Sequence, residues 1–380
     1  MAGVMNSSGY LDHNATTPVR PQAAAAVAAA LALTGNPSSV HRFGREMRRR
    51  LEEARERVAA LVGAAPAEIV FTSGGTEANA LAIRGSGRRR VLISAIEHAS
   101  VQAAAGAAEH VRVTEDGVID CGALEAMLSA DPAPALIAVM LANNETGVIQ
   151  KIDEVVDLAR RHGALVHCDA VQAAGKLPLN AIALGVDFLS VSAHKIGGPA
   201  GSGALFVRGE TPLVAELQGG GQERGRRAGT ENLAGIVGFG VAAEIALSEL
   251  SEADRLARWR DDLERRVTGS APDARIFGAS AARLPNTSCL AMPGVTSAVQ
   301  LMVFDLAGLA VSAGSACSSG KIARSHVLRA MGIGAEEAAR AIRVSLGWTT
   351  TMQDINRFVG AWDALCARAG ARLRHTAPAA

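Results

Sequence analysis

Aromatic residues are scarce in this chain: they make up 3% of its 380 residues, and Tyr10 is the one tyrosine. A module that binds nucleic acid by stacking bases needs more of them. No run of about 18 apolar residues occurs, so no membrane-spanning helix is expected. Neither sign of charge dominates, with 38 basic residues against 37 acidic ones. That balance gives no electrostatic reason to expect a nucleic acid or a membrane surface as partner. The stretch from Met1 to Tyr10 lacks a basic segment followed by an apolar core, so no signal peptide is expected. Cysteines are few: Cys121, Cys168, Cys289, Cys317 and Cys366 are scattered, odd in number and free of CxxC spacing. This excludes a disulfide framework and a zinc site, and fits reduced thiols in a cytoplasm.

What is abundant is small and apolar. Hydrophobic residues reach 49%, with 40 glycines, and the length suffices for a large core and two domains. Short apolar runs (Glu68–Thr72, Val91–Ser94, Leu136–Leu141, Leu165–Cys168, Asp187–Ser192, Ala204–Val207) read as strands. Helical spacing in Pro21–Leu33, Glu46–Val62 and Ile152–Arg161 falls around and between them. Such alternation predicts an α/β fold with a mostly parallel sheet covered on both faces. A charged helical stretch follows from Leu233 to about Val267. Shorter strands are then expected at Thr287–Ala291, Leu309–Ser312 and Ala341–Leu346, with a helix at Ser325–Met331. We expect a large domain over residues 17–248, and a smaller α+β domain from 1–16 and 249–380.

Three strand ends carry candidate chemistry. After Phe71-Thr72 comes Ser73-Gly74-Gly75-Thr76 and at once a helix; N–H groups at such a start can cradle a phosphate, although a plain tight turn looks the same. The run Leu165-Val166-His167-Cys168-Asp169 ends in an acid. A buried acid needs a cation or donors, and could hold a protonated pyridine nitrogen or simply cap a helix. The run Phe188-Leu189-Ser190-Val191-Ser192-Ala193-His194-Lys195 ends in a lysine. Desolvation there would favour the neutral, nucleophilic amine, the state a Schiff base requires. Phosphate cradle, acid and lysine in this order, each at a strand end, is the arrangement of fold-type-I pyridoxal 5'-phosphate (PLP) enzymes. Further on, Cys317 stands within Ser312-Ala313-Gly314-Ser315-Ala316-Cys317-Ser318-Ser319-Gly320. A thiol among small polar residues is a candidate nucleophile, unlike one packed in a core.

With these residues in place the sequence resembles the cysteine desulfurases of the NifS/IscS type, from Tyr10 to about Thr350. Tyr10-Leu-Asp-His-Asn-Ala-Thr-Thr17, Gly35-Asn-Pro-Ser-Ser39, Ala142-Asn-Asn-Glu-Thr-Gly147, Gln222-Glu-Arg-Gly-Arg-Arg-Ala-Gly-Thr-Glu-Asn232 and Ser325-His-Val-Leu-Arg-Ala-Met331 carry it. The resemblance implies conversion of L-cysteine to L-alanine, with sulfur passed to Cys317 as a persulfide. It implies PLP held by Lys195, Asp169 on the ring nitrogen and Gln172 on the ring hydroxyl. Gly75, Thr76, Ser192 and His194 would hold the phosphate, with Thr230 arriving from a second copy in a homodimer. His98 would stack on the ring and carry protons, while Asn144 and Arg343 bind the substrate carboxylate. A sulfur-acceptor or iron–sulfur scaffold protein is the implied partner. Two departures from the family pattern concern the cofactor site: Ala193 stands where many relatives have glycine, and Ala200 where they have lysine.

Overall fold

The structure, a computed structural model, describes residues 8–314 and 325–376. Seven strands form the main sheet: β1 (Ile69–Thr72), β2 (Arg90–Ser94), β3 (Glu109–Val111), β4 (Ala135–Met140), β5 (Leu165–Asp169), β6 (Phe188–Ser192) and β7 (Gly203–Val207). Their spatial order is β1-β7-β6-β5-β4-β2-β3. From β3 to β6 every pairing is parallel; β7 runs antiparallel to both β6 and β1. The expected mostly parallel sheet is present, with one reversed strand.

Alternation along the strands splits the side chains between two cores. On β4, Ile137 and Val139 join Val166, Cys168 and Phe239 on one face. Leu136 and Ala138 join Phe188, Ile93 and Leu81 on the other. Burial on both faces explains why these strands read as unbroken apolar runs rather than polar–apolar alternation. Helices Arg42–Val62 and Leu233–Ser248 pack against each other over the first face. The former stops where Gly63 takes a left-handed conformation, φ 64°. Helix Ile152–Arg161 places Asp153 and Glu154 in its first turn and Arg160 and Arg161 in its last, matching the helix dipole at both ends.

A second sheet has order β10-β9-β8, all antiparallel, with β8 (Arg275–Ile276), β9 (Thr287–Ala291) and β10 (Ala341–Ser345). Its core gathers Leu290, Ile342, Val344, Phe304, Phe358 and Trp362, and Leu11 joins it from the far end of the sequence. The N-terminal segment bridges to this side through Tyr10–Ala310 and Asp12–Ser345.

The helical stretch gains a break, one expected strand is absent and one unexpected strand is present. The helical stretch from Leu233 is two helices, Leu233–Ser248 and Glu252–Ser270, bent by 74°. Glu249 at the break is drawn into an ion pair with Arg20, while Glu252 and Asp254 favour a fresh helix N-terminus. Leu309–Ser312 is no strand: Ala310 bridges Tyr10 and Ser312 bridges Arg343, in single contacts on different segments. The edge strand Glu109–Val111 was not expected at all; its first two residues are exposed, so it has no apolar run to betray it. Among the described residues no single helix is long and apolar enough to cross a membrane.

Candidate active site

Parallel strands bring their C-terminal ends to one edge, and the predicted residues collect there. Asp169 is the last residue of β5, Ser192 the last of β6, and Lys195 closes the short turn Ala193–Lys195 that follows. Gly75 and Thr76 open helix Gly75–Gly85 directly after β1, and His98 caps helix Ala99–Ala105 after β2. Together with Asn144, Gln172, His194 and Arg343 they line one cavity of about 290 Å³.

Asp169 is 6% exposed. Its Oδ2 accepts from Asn79 Nδ2 at 2.8 Å and its Oδ1 from the Val171 backbone N–H at 3.0 Å. Neither donor carries charge, so these bonds hold the carboxylate without neutralising it. Lys195 Nζ donates to the carbonyls of Asn14 and Ala15, the latter at 2.7 Å. Gln172 Nε2 donates to the same Asn14 carbonyl at 2.9 Å. His194 meets Thr16 Oγ1 at 3.2 Å; burial first, then the nearby positive Lys195 and Lys176, lowers its pKa to about 4.

Arg343 reaches the cavity from β10 and is 2% exposed. Its Nη2 pairs with Asp12 at 2.6 Å and its Nη1 donates to the Asn144 carbonyl at 3.0 Å, leaving Nε without a partner. Asp12 is itself held by Ser312 Oγ at 2.7 Å. The guanidinium is therefore fixed in place with part of its donor fork unspent.

One predicted residue stands apart from this group. Thr230 is exposed and lines a separate small cavity with Ser73, Arg227 and Asn232. Cys317 lies outside the described residues. Of the two departures, Ala193 is fully buried in the large core and does not line the cavity, so its methyl group cannot crowd a ligand there. Ala200 is exposed.

Other residues matter that the sequence did not single out. Asn79 lies one helical turn beyond Gly75, a spacing that could have flagged it. Asp12 sits inside a quoted motif, yet its ion pair spans 331 positions. Lys176 donates to Gln172 O at 2.8 Å; burial first, then Lys195 and Arg343, pulls its ammonium down to about 7. It lines a larger cavity of about 390 Å³ with His13, Arg20 and Trp348, of whose walls Lys195 is the one predicted site residue. Glu97, beside His98, is fully buried; its Oε1 accepts from the Met140 N–H at 2.7 Å, and burial raises its pKa well above the usual range.

A strand-end acid, a strand-end lysine and an open helix start around one cavity define a PLP-type site on an α/β sheet. The chain belongs to the class-V aminotransferase family, whose model matches residues 9–358. It is similar to a cysteine desulfurase of Cereibacter sphaeroides, 46% identical, covering 92% of this chain and 93% of that one. A cysteine desulfurase IscS of Dictyoglomus turgidum is 41% identical, covering 93% of each. Among solved structures, a NifS-like protein from Rickettsia africae superposes with a TM-score of 0.87 at 36% identity, covering 94% of this chain and 98% of that one.

The family depends on PLP, and the residues present fit it. Asp169, bonded only to neutral donors, offers a carboxylate to a cationic ring nitrogen. The first-turn N–H groups of Gly75 and Thr76 lack intrahelical acceptors. A Cβ at position 75 would come within 2.8 Å of Val171 Cγ2 and force a shift there, so glycine suits the close approach of the helix start to Val171.

Proposed function

We propose that this protein is a PLP-dependent cysteine desulfurase that moves the sulfur of L-cysteine onto Cys317. The observation that carries the reading is the single cavity in which Asp169, Lys195, the helix start at Gly75 and Arg343 meet. Lys195 holds the cofactor, Asp169 and Gln172 contact its ring, and Gly75, Thr76, Ser192 and His194 bind its phosphate. Bound there, the cofactor serves as an electron sink for charge developing at the substrate Cα.

The protein's own groups do the rest. Arg343, with Asn144, clamps the substrate carboxylate through the unspent part of its fork. The Lys195 amine takes the α-proton and His98 assists proton return. Cys317 attacks the substrate sulfur as thiolate. The S–S bond forms as the C–S bond breaks, carbon keeps the electron pair and takes protons, and alanine leaves. The other four cysteines are poorly suited to this step. Burial pushes Cys121 and Cys366 to about 11 and also raises Cys168 and Cys289, so near neutrality they stay thiols.

Residues 17–248 form the cofactor-binding domain, and 1–16 with 249–380 the smaller one. The exposure of Thr230, away from its own chain's cavity, supports a homodimer in which each copy completes the other's phosphate site. The persulfide passes to a sulfur-acceptor or iron–sulfur scaffold protein in the cytoplasm. The test is alanine formation from L-cysteine, with mass detection of one added sulfur on the Cys317 peptide. Cys317→Ser should bind cysteine yet release no sulfide under a reductant. Wild-type release by that variant refutes the role given to Cys317.

A further inference from the structure

Asp169 and His98 arise from different strand ends, yet hydrogen bonds join them. Asn79, 1% exposed, stands between. Its Nδ2 lies 2.8 Å from Asp169 Oδ2 and 2.9 Å from Ser100 Oγ. An ionised carboxylate can only accept, so the amide must turn its NH₂ toward Asp169; the flipped amide would set oxygen against oxygen. Both amide hydrogens are thereby spent, and Oδ1 has no partner. Ser100 accepts one of them, which leaves its own hydroxyl hydrogen to give. His98 Nδ1 lies 2.8 Å from that hydroxyl and also accepts the Ser100 backbone N–H at 3.1 Å. A backbone N–H can only donate, so Nδ1 bears a lone pair and the neutral ring carries its proton on Nε2.

We propose that Asn79 and Ser100 are positioning residues that tie the Asp169 carboxylate to the imidazole and lock His98 in its Nε2-protonated tautomer. The link fixes geometry and conducts no proton, because the Asn79 amide donates in both directions and has no lone pair on that nitrogen to pass one along. Proton exchange at His98 Nε2 is therefore independent of Asp169. The catalytic consequence rests on the reading of Asp169 and His98 as cofactor contacts; the tautomer does not.

The experiment has two arms. In the full-length wild-type chain labelled with ¹⁵N-histidine, His98 is assigned by its loss in His98→Gln. The expected spectrum shows an unprotonated Nδ1 and a protonated Nε2. In the PLP-loaded protein, Ser100→Ala should lower kcat about tenfold with KM within about twofold, and Ser100→Thr should restore it. Asn79→Ala should raise the PLP dissociation constant about tenfold and move the bound cofactor's absorbance maximum. A His98 proton on Nδ1, or wild-type kcat and absorbance in both alanine variants, overturns the proposal. Failure of the wild type to make alanine from cysteine defeats the reaction reading instead, and the ¹⁵N spectrum still decides the tautomer.

Discussion

Two carboxylates serve this site in opposite ways: Asp169 at the end of β5, here called the floor, and Asp12 beside Arg343, here called the rim. On the floor, Asp169 takes hydrogen bonds from an amide and a backbone N–H, both neutral, and keeps its charge for a ligand. At the rim, Asp12 is committed to Arg343 at 2.6 Å and tempers that cation. On the proposed reading, the seven-stranded sheet offers a negative site for a cationic ring, and the three-stranded sheet a restrained positive site for a carboxylate. Binding a zwitterionic amino acid beside a protonated ring nitrogen asks for this division. An unrestrained arginine buried at the rim would carry a large desolvation cost while the site stands empty.

The largest effect should come from neutralising the floor. Asp169→Asn keeps the shape but discards the charge, and kcat should fall by about a hundredfold to a thousandfold while KM moves little. Stopped-assay alanine formation measures it; a fall in affinity alone would mean the floor binds substrate instead. At the rim, Arg343→Lys loses the planar fork, so KM for cysteine should rise about tenfold or more with the cofactor absorbance unchanged. A changed absorbance there would erase the distinction between floor and rim.

A smaller effect belongs to acid stability. Burial lowers His13 to about 3 and His167 to about 4. Both bind a proton on unfolding whenever the pH lies below the ordinary value of about 6.5 but above their folded values. The unfolded state then holds more protons, so stability declines as pH falls from about 6.5 toward 4. Urea midpoints across that range check it, and His167→Gln should flatten the slope. Smallest of all, Glu97→Gln should leave kcat within about twofold and stability nearly unchanged, because burial already holds that carboxyl in its neutral form. A large loss on this swap would show a charged Glu97, and hence a second anion near the floor.

How far the sequence disclosed this differs between floor and rim. The floor was legible because its residues end strands, and a strand end is a local pattern: an apolar run, then Asp169 or Lys195. Arg343 at the rim came from family resemblance alone, since a charged residue within β10 carries no local sign of what it faces. The bonds that tune each group escaped entirely. Asn79 meets Asp169 across 90 positions and Asp12 meets Arg343 across 331; tertiary packing, not periodicity, creates those pairs. The expected domain boundary falls at the break after Ser248, but the bend itself has no local sign. No glycine or proline marks it, and the bend accompanies an ion pair to distant Arg20.

Lys195 stands where the account is most exposed, because Lys176 lines a cavity with it and burial pulls that ammonium down to about 7. Borohydride reduction of the PLP-loaded protein fixes the cofactor to whichever amine holds it, and peptide mass mapping reads the position. The account predicts the label on Lys195 alone; a label on Lys176 would contradict it.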